Sequence, residues 1–184
     1  WQDHVAFGAK GGVSDGPVPG VLDGIIENVV LIEPGNEELM RETLSSRDDI
    51  AGVILEPTGA SFGQIPVTRE FVAALRDATT ENGILLLFDE VVTGFRVSPG
   101  GAQGHYGITP DLTSLAKILS GGLPGGAVCG RADILELLDF EVAKEKGFQK
   151  IGHQGTYNAN PMSAIAGVAA LKEIRSGGVC EHAT

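Results

Sequence analysis

The 184-residue sequence predicts an α/β fold: a mostly parallel sheet with helices on both faces. Two observations lead there. Short runs that are apolar throughout, such as Ile84–Phe88 (Ile-Leu-Leu-Leu-Phe), are too brief for helices and read as strands covered on both sides. Segments of helical period lie between them, as the crossovers of a parallel sheet require.

Taken in order, residues 1–28 read as an extended surface loop, with Gly16-Pro17-Val18-Pro19-Gly20 in its middle. Asn28–Ile32 is a short apolar run read as a strand. Glu37–Ser46 sets Leu39 and Leu44 among charges and reads as a short helix. Ala51–Leu55 is a strand broken by Glu56-Pro57. Thr68–Asn82 carries Phe71, Val72, Leu75 and Ala78 on one helical face, and Gly83 stands where helices close. The strands Ile84–Phe88, Leu112–Ala116 and Ala127–Cys129 follow. Ala132–Leu138 and Pro161–Arg175 read as helices, with Pro161 in a first turn where its missing N–H costs nothing. No repeat, linker or low-complexity tract divides the chain, so residues 1–184 read as one unit. The start at Trp1 rather than Met leads us to expect an internal fragment of a longer protein.

Composition narrows the function classes. Lys plus Arg number 13 against 24 Asp plus Glu, a net charge of −11, which argues against nucleic-acid binding. No apolar run reaches membrane-spanning length, so no membrane partner is expected. Two cysteines, Cys129 and Cys180, make no disulfide framework and suit a reducing, cytoplasmic setting. His4, His105, His153 and His182 lack metal-ligand spacing, and no metal is expected. Gly8–Gly12 matches neither a P-loop nor a dinucleotide fingerprint, leaving Lys10 a solvated loop charge.

Open α/β sheets bind ligands beyond the carboxyl ends of their strands. Three such ends carry ionisable groups here: Glu56, Asp89-Glu90 and Lys117. A carboxylate at the rim of an apolar core needs a partner, and a protonated ring nitrogen would serve. The bland alternative makes Asp89 the cap of a turn. A lysine after a buried run differs from a solvated surface lysine, because desolvation favours the free, nucleophilic amine. Gly121-Gly122-Leu123-Pro124-Gly125-Gly126 beyond it leaves room for a bulky ligand. Lysine plus a carboxylate is the pair that pyridoxal phosphate requires. Glu90 is expected to be structural, paired with a cation such as Arg96.

These segments resemble a family. Asp89-Glu90-Val91-Val92-Thr93-Gly94-Phe95-Arg96, Pro110-Asp111-Leu112 through Ala116-Lys117 with its glycines, and Gly155-Thr156-Tyr157-Asn158-Ala159-Asn160-Pro161 are similar to class III aminotransferases. These are pyridoxal-phosphate (PLP) enzymes of fold type I. The intervals also fit, 117 − 89 = 28 and 156 − 117 = 39 residues. Val53-Ile54-Leu55-Glu56-Pro57 and Ser120-Gly121-Gly122-Leu123-Pro124 are most similar to the glutamate-1-semialdehyde 2,1-aminomutase group.

The resemblance implies that these residues are the central part of a large PLP-binding domain. It makes Lys117 the Schiff-base and proton-shuttling residue and Asp89 the partner of the pyridine nitrogen. Val91 would pack on the ring, Glu56 would orient its edge, and Thr156 would bind the phosphate from the neighbouring subunit of a homodimer. Ser61 stands where the aminomutase pattern has an asparagine at the ring hydroxyl, a departure that bears on mutase activity. The substrate would be an amino acid or amine. The rival reading is a truncated, non-catalytic piece serving only as a cofactor-binding or dimerisation scaffold.

Overall fold

A computed structural model describes Phe7 and residues 16–59, 63–176 and 178–183. Its four-stranded sheet consists of β1 (Gly52–Leu55), β2 (Leu85–Asp89), β3 (Leu112–Ala116) and β4 (Gly126–Gly130), hydrogen-bonded in that order. The first three are parallel, with Leu55 beside Phe88 and Asp89 beside Ser114. β4 returns antiparallel, Ala116 beside Gly126. The sheet is therefore mostly parallel, as expected.

Besides two single α-helical turns, the described helices are α1 (Glu37–Ser46), α2 (Arg69–Glu81), α3 (Gly101–Tyr106), α4 (Phe140–Lys146), α5 (Pro161–Arg175) and α6 (Gly178–His182). Capping sets the limits of the longer ones. Thr68 Oγ1 accepts from Phe71 N at 3.1 Å to start α2, and the chain turns at Gly83 with φ 67°. Asn36 Oδ1 accepts from Leu39 N to start α1, and Asn160 Oδ1 accepts from Met162 N and Ser163 N to start α5. None of these helices is long and apolar enough to cross a membrane, among the described residues.

The main core lies between one face of the sheet and α1–α2. Leu86 and Phe88 of β2 are completely buried against Phe71, Val72, Leu75 and Ala78, with Met40 and Leu44 of α1 beyond. Each such side chain contributes about 1.5–3 kcal/mol by leaving water. Strand alternation sends Ile54, Leu87, Asp89, Ser114 and Val128 to the opposite face. There Ile54 and Val128 are about half exposed.

Three expectations are corrected. Asn28–Ile32 forms no strand: the N–H groups of Asn28 and Val29 are taken by Ile25 and Ile26 carbonyls of the preceding turn. That turn, Asp23–Ile26, is helical although it falls in the stretch read as loop. Ala132–Leu138 is α-helical only to Leu135 and continues as 3-10 helix over Glu136–Leu138. Helices α3, α4 and α6 are additional. Asp139 Oδ1 capping Glu141 N and Val142 N, with Gly147 at φ 74° at the other end, is the local signal that marks α4.

At the sheet end away from the carboxylate edge, Asp111 clasps three elements. Its carboxylate accepts from Leu86 N at 2.8 Å, Arg76 Nη1 at 2.9 Å and Arg131 Nη1 at 3.0 Å. Burial pushes this carboxyl's pKa up, but the hydrogen bonds from Leu86 N–H, Arg131 and Arg76 outweigh it and hold the pKa below the ordinary 3.8. A depressed folded pKa contributes stability that is fully present above the unfolded value and lost as pH falls through the folded one. Asp111→Asn is thus expected to lower stability at neutral pH by roughly 1.5–3 kcal/mol, the worth of hydrogen bonds to charged groups. The gap from the wild type should shrink in acid below the ordinary carboxylate value. Urea melts at the two pH values measure it, and an unchanged gap would contradict the sign.

Candidate active site

Glu56 follows β1, Asp89 ends β2 and Lys117 follows β3, so three ionisable side chains stand at the carboxyl ends of neighbouring parallel strands. Such strands run about 4.8 Å apart, which fits one small ligand across their ends.

Asp89 is half-buried on the sheet face opposite the main core. Its Oδ1 accepts from Val91 N at 3.0 Å and from Ser114 Oγ at 3.2 Å. No hydrogen bond among the described residues reaches Oδ2. Asp89 does close the turn after β2, as the bland reading held, yet that uses one oxygen only. Val91 is half-buried beside it.

Glu90 points the other way. It is 1% exposed and accepts from Thr93 Oγ1, Ala102 N, Gln103 N and Gln103 Nε2. Its role is structural, but the expected partner is corrected: Arg96 is exposed and donates to Ala183 O at 2.7 Å. Glu90 instead serves the amide donors at the start of α3, where an anion is favoured. Gln103 Nε2 also donates to Thr113 Oγ1, tying α3 to β3.

The expected desolvation of Lys117 is corrected: the residue is exposed and opens a single 3-10 turn, Lys117–Ser120, at φ 49°. A left-handed non-glycine residue costs about 1–2 kcal/mol, a strain that clusters at functional sites. Helix α5 holds this turn from behind. A Cβ on Gly167 would stand 2.6 Å from Leu119 O, so only glycine lets the helix approach so closely.

Thr156 is exposed in the irregular stretch before α5. It does not cap that helix, since Asn160 does. The open hollow it lines with His153, Gln154, Gly155 and Asn158 contains none of Glu56, Asp89 or Lys117. The structure thus brings Glu56, Asp89, Val91 and Lys117 to one edge, whereas Thr156 lines a hollow that contains none of them. Ser61 lies outside the described residues. Ser114 is the residue sequence reasoning missed; its only signal is strand alternation, which sets it on the same face as its neighbour Asp89.

The residues present fit PLP. The cofactor needs an amine for its aldehyde and an acceptor for its ring N–H. Lys117 is the amine at this edge, and Asp89 Oδ2 is an acceptor that no described side chain uses.

Comparison with known proteins agrees with this frame. Residues 27–184 match the family described as aminotransferase class-III, and the chain belongs to that family. It is 44% identical over 161 residues to glutamate-1-semialdehyde 2,1-aminomutase of Natranaerobius thermophilus, covering 87% of this chain and 36% of that protein. Among solved structures it resembles an omega-transaminase from Sphaerobacter thermophilus, with TM-score 0.76 and 35% identity, over 86% of this chain and 35% of that one. A transaminase with PLP bound aligns with TM-score 0.77 and 34% identity, over 86% of this chain and 36% of its own. The chain therefore spans little more than a third of the length of these relatives.

Proposed function

We propose that the protein containing these residues transfers amino groups with PLP, as an aminotransferase or a glutamate-1-semialdehyde 2,1-aminomutase-like enzyme. Residues 1–184 are then the central part of its large cofactor-binding domain. The observation that carries the reading is Asp89, a strand-end carboxylate with one oxygen held by two donors and the other open, one strand from Lys117.

When bound, PLP supplies an electron sink for negative charge at the substrate Cα. Lys117 Nζ would hold the cofactor covalently and, once the substrate amine has displaced it from that bond, would take the proton from the substrate Cα and return it. Asp89 Oδ2 keeps the proton on the ring nitrogen. Val91 offers an apolar contact to the ring, and Glu56 and Ser61 orient its edge. Thr156 binds the phosphate through its hydroxyl and backbone N–H, from the neighbouring subunit of a homodimer. That it lines a hollow containing none of the strand-end residues supports that assignment. An active, PLP-loaded monomer in sedimentation would overturn it. The substrate is a small amino acid or amine. A sequence with only two cysteines, Cys129 and Cys180, has no disulfide framework, which supports a cytoplasmic location.

The identity of 44% to a glutamate-1-semialdehyde 2,1-aminomutase supports the isomerising reaction, which should proceed without an added keto acid. The reading itself is tested on the full-length protein by adding PLP, reducing with borohydride, digesting and locating the modified lysine by mass spectrometry. A single pyridoxyl adduct on Lys117 is expected. Label scattered over surface lysines, or none, would leave only the fold.

A further inference from the structure

Asp89 and Ser114 are register partners on β2 and β3. Partnered residues of parallel strands send their side chains to the same face. Ser114 grips the end of β2 twice. Its carbonyl accepts Glu90 N at 3.0 Å, and its hydroxyl donates to Asp89 Oδ1 at 3.2 Å. Val91 N donates to that same oxygen at 3.0 Å.

A carboxylate turns about a broad, two-fold terminal torsion, so a single donor leaves its plane loosely set. Two donors, Ser114 on β3 and Val91 in the turn after β2, converge on Oδ1, fix the rotation and decide which way Oδ2 faces. We infer that Ser114 is a positioning residue: with the Val91 N–H it pins Asp89 by Oδ1 and so presents Oδ2 to a protonated ring nitrogen. The inference rests on the reading of Asp89 and Lys117 given above. Ser114 itself touches neither substrate nor cofactor in this account; it acts through Asp89.

The test compares the wild-type, Ser114→Ala and Ser114→Thr proteins, each full-length. Five quantities are measured: the Kd for PLP by absorbance titration of the apoprotein, the visible band of the loaded protein, kcat and KM for the amino donor, and the thermal melt. Ser114→Ala is expected to weaken PLP binding and lower kcat, each on the order of ten-fold, as losing one hydrogen bond to a charged group would. Its visible band should shift, while the donor KM and the melt stay as in the wild type. Ser114→Thr keeps a hydroxyl on the same carbon and should restore all of these.

Wild-type PLP affinity and kcat in Ser114→Ala would overturn the inference while leaving the proposed function standing. So would a Ser114→Thr protein as impaired as Ser114→Ala, or losses that track a lowered melt. A wild-type protein that takes up no PLP would overturn both.

Discussion

Replacing Lys117 by alanine in the full-length protein is expected to cut turnover by at least the 10²–10⁴-fold or so typical of losing a positioned proton carrier. The loss should be larger still if the covalent hold on the cofactor goes with it. The fold should survive. The Lys117 side chain is exposed, and alanine tolerates φ 49° about as well as lysine does. Lys117→Arg separates charge from chemistry, because a guanidinium keeps its proton and cannot act as a free amine. Both variants should therefore be inactive and melt like the wild type. Steady-state kinetics with a thermal melt would check this. Near-normal turnover in either variant would remove Lys117 from the mechanism.

The second large effect is on stability. Glu90→Ala deletes a carboxylate that receives two backbone N–H groups, a hydroxyl and a side-chain amide in a site 1% exposed. Each buried donor left without a partner costs about 1–3 kcal/mol, so a total loss of roughly 3–5 kcal/mol is expected. Chemical denaturation of the holoprotein reads it as a lowered midpoint. Glu90→Gln should fall between the two, since its carbonyl can still accept while its amide opposes the donors. An alanine variant within experimental error of the wild type would mean that the start of α3 finds other acceptors. Gly101 belongs to the same contact: at φ 66°, a Cβ there would stand 2.9 Å from Glu90 Cδ.

Much of this was legible in the residues. The edges of α1, α2 and α5 follow from Asn36, Thr68 with Gly83, and Asn160, because N-caps act through neighbours two or three positions away. β3 was equally plain as an apolar run ending at a charged residue. The strand ends at Glu56, Asp89 and Lys117 were visible for the same reason. What escaped depends on partners distant in sequence. Helix α3 begins at Gly101 and contains Gly104, a poor local prospect that Glu90 supports from across the turn. Glu90 was expected to meet Arg96, six residues away, whereas its partners are Thr93 and the amides of residues 102 and 103. Asn28–Ile32 has the composition of a strand, yet composition does not supply a neighbour to bond with. Ser114 carries no motif at all, and only register shows that its hydroxyl faces Asp89.

The antiparallel return of β4 has a consequence for the order of assembly. Residues 117–125 close the β3–β4 pair, whereas β1 and β2 must find each other across residues 56–84, and β2 and β3 across residues 90–111. The entropy of closing a loop rises with the logarithm of its length, by about 0.6 kcal/mol per doubling. The β3–β4 pair therefore has the smallest closure cost in the sheet, which favours it as an early-forming unit on which β2 and then β1 can add. Its closing loop is the very segment that begins with Lys117. The lysine proposed to hold the cofactor sits in the shortest connection of the sheet, so the same few residues that limit the chain's search while folding also set where its amine stands once it has folded.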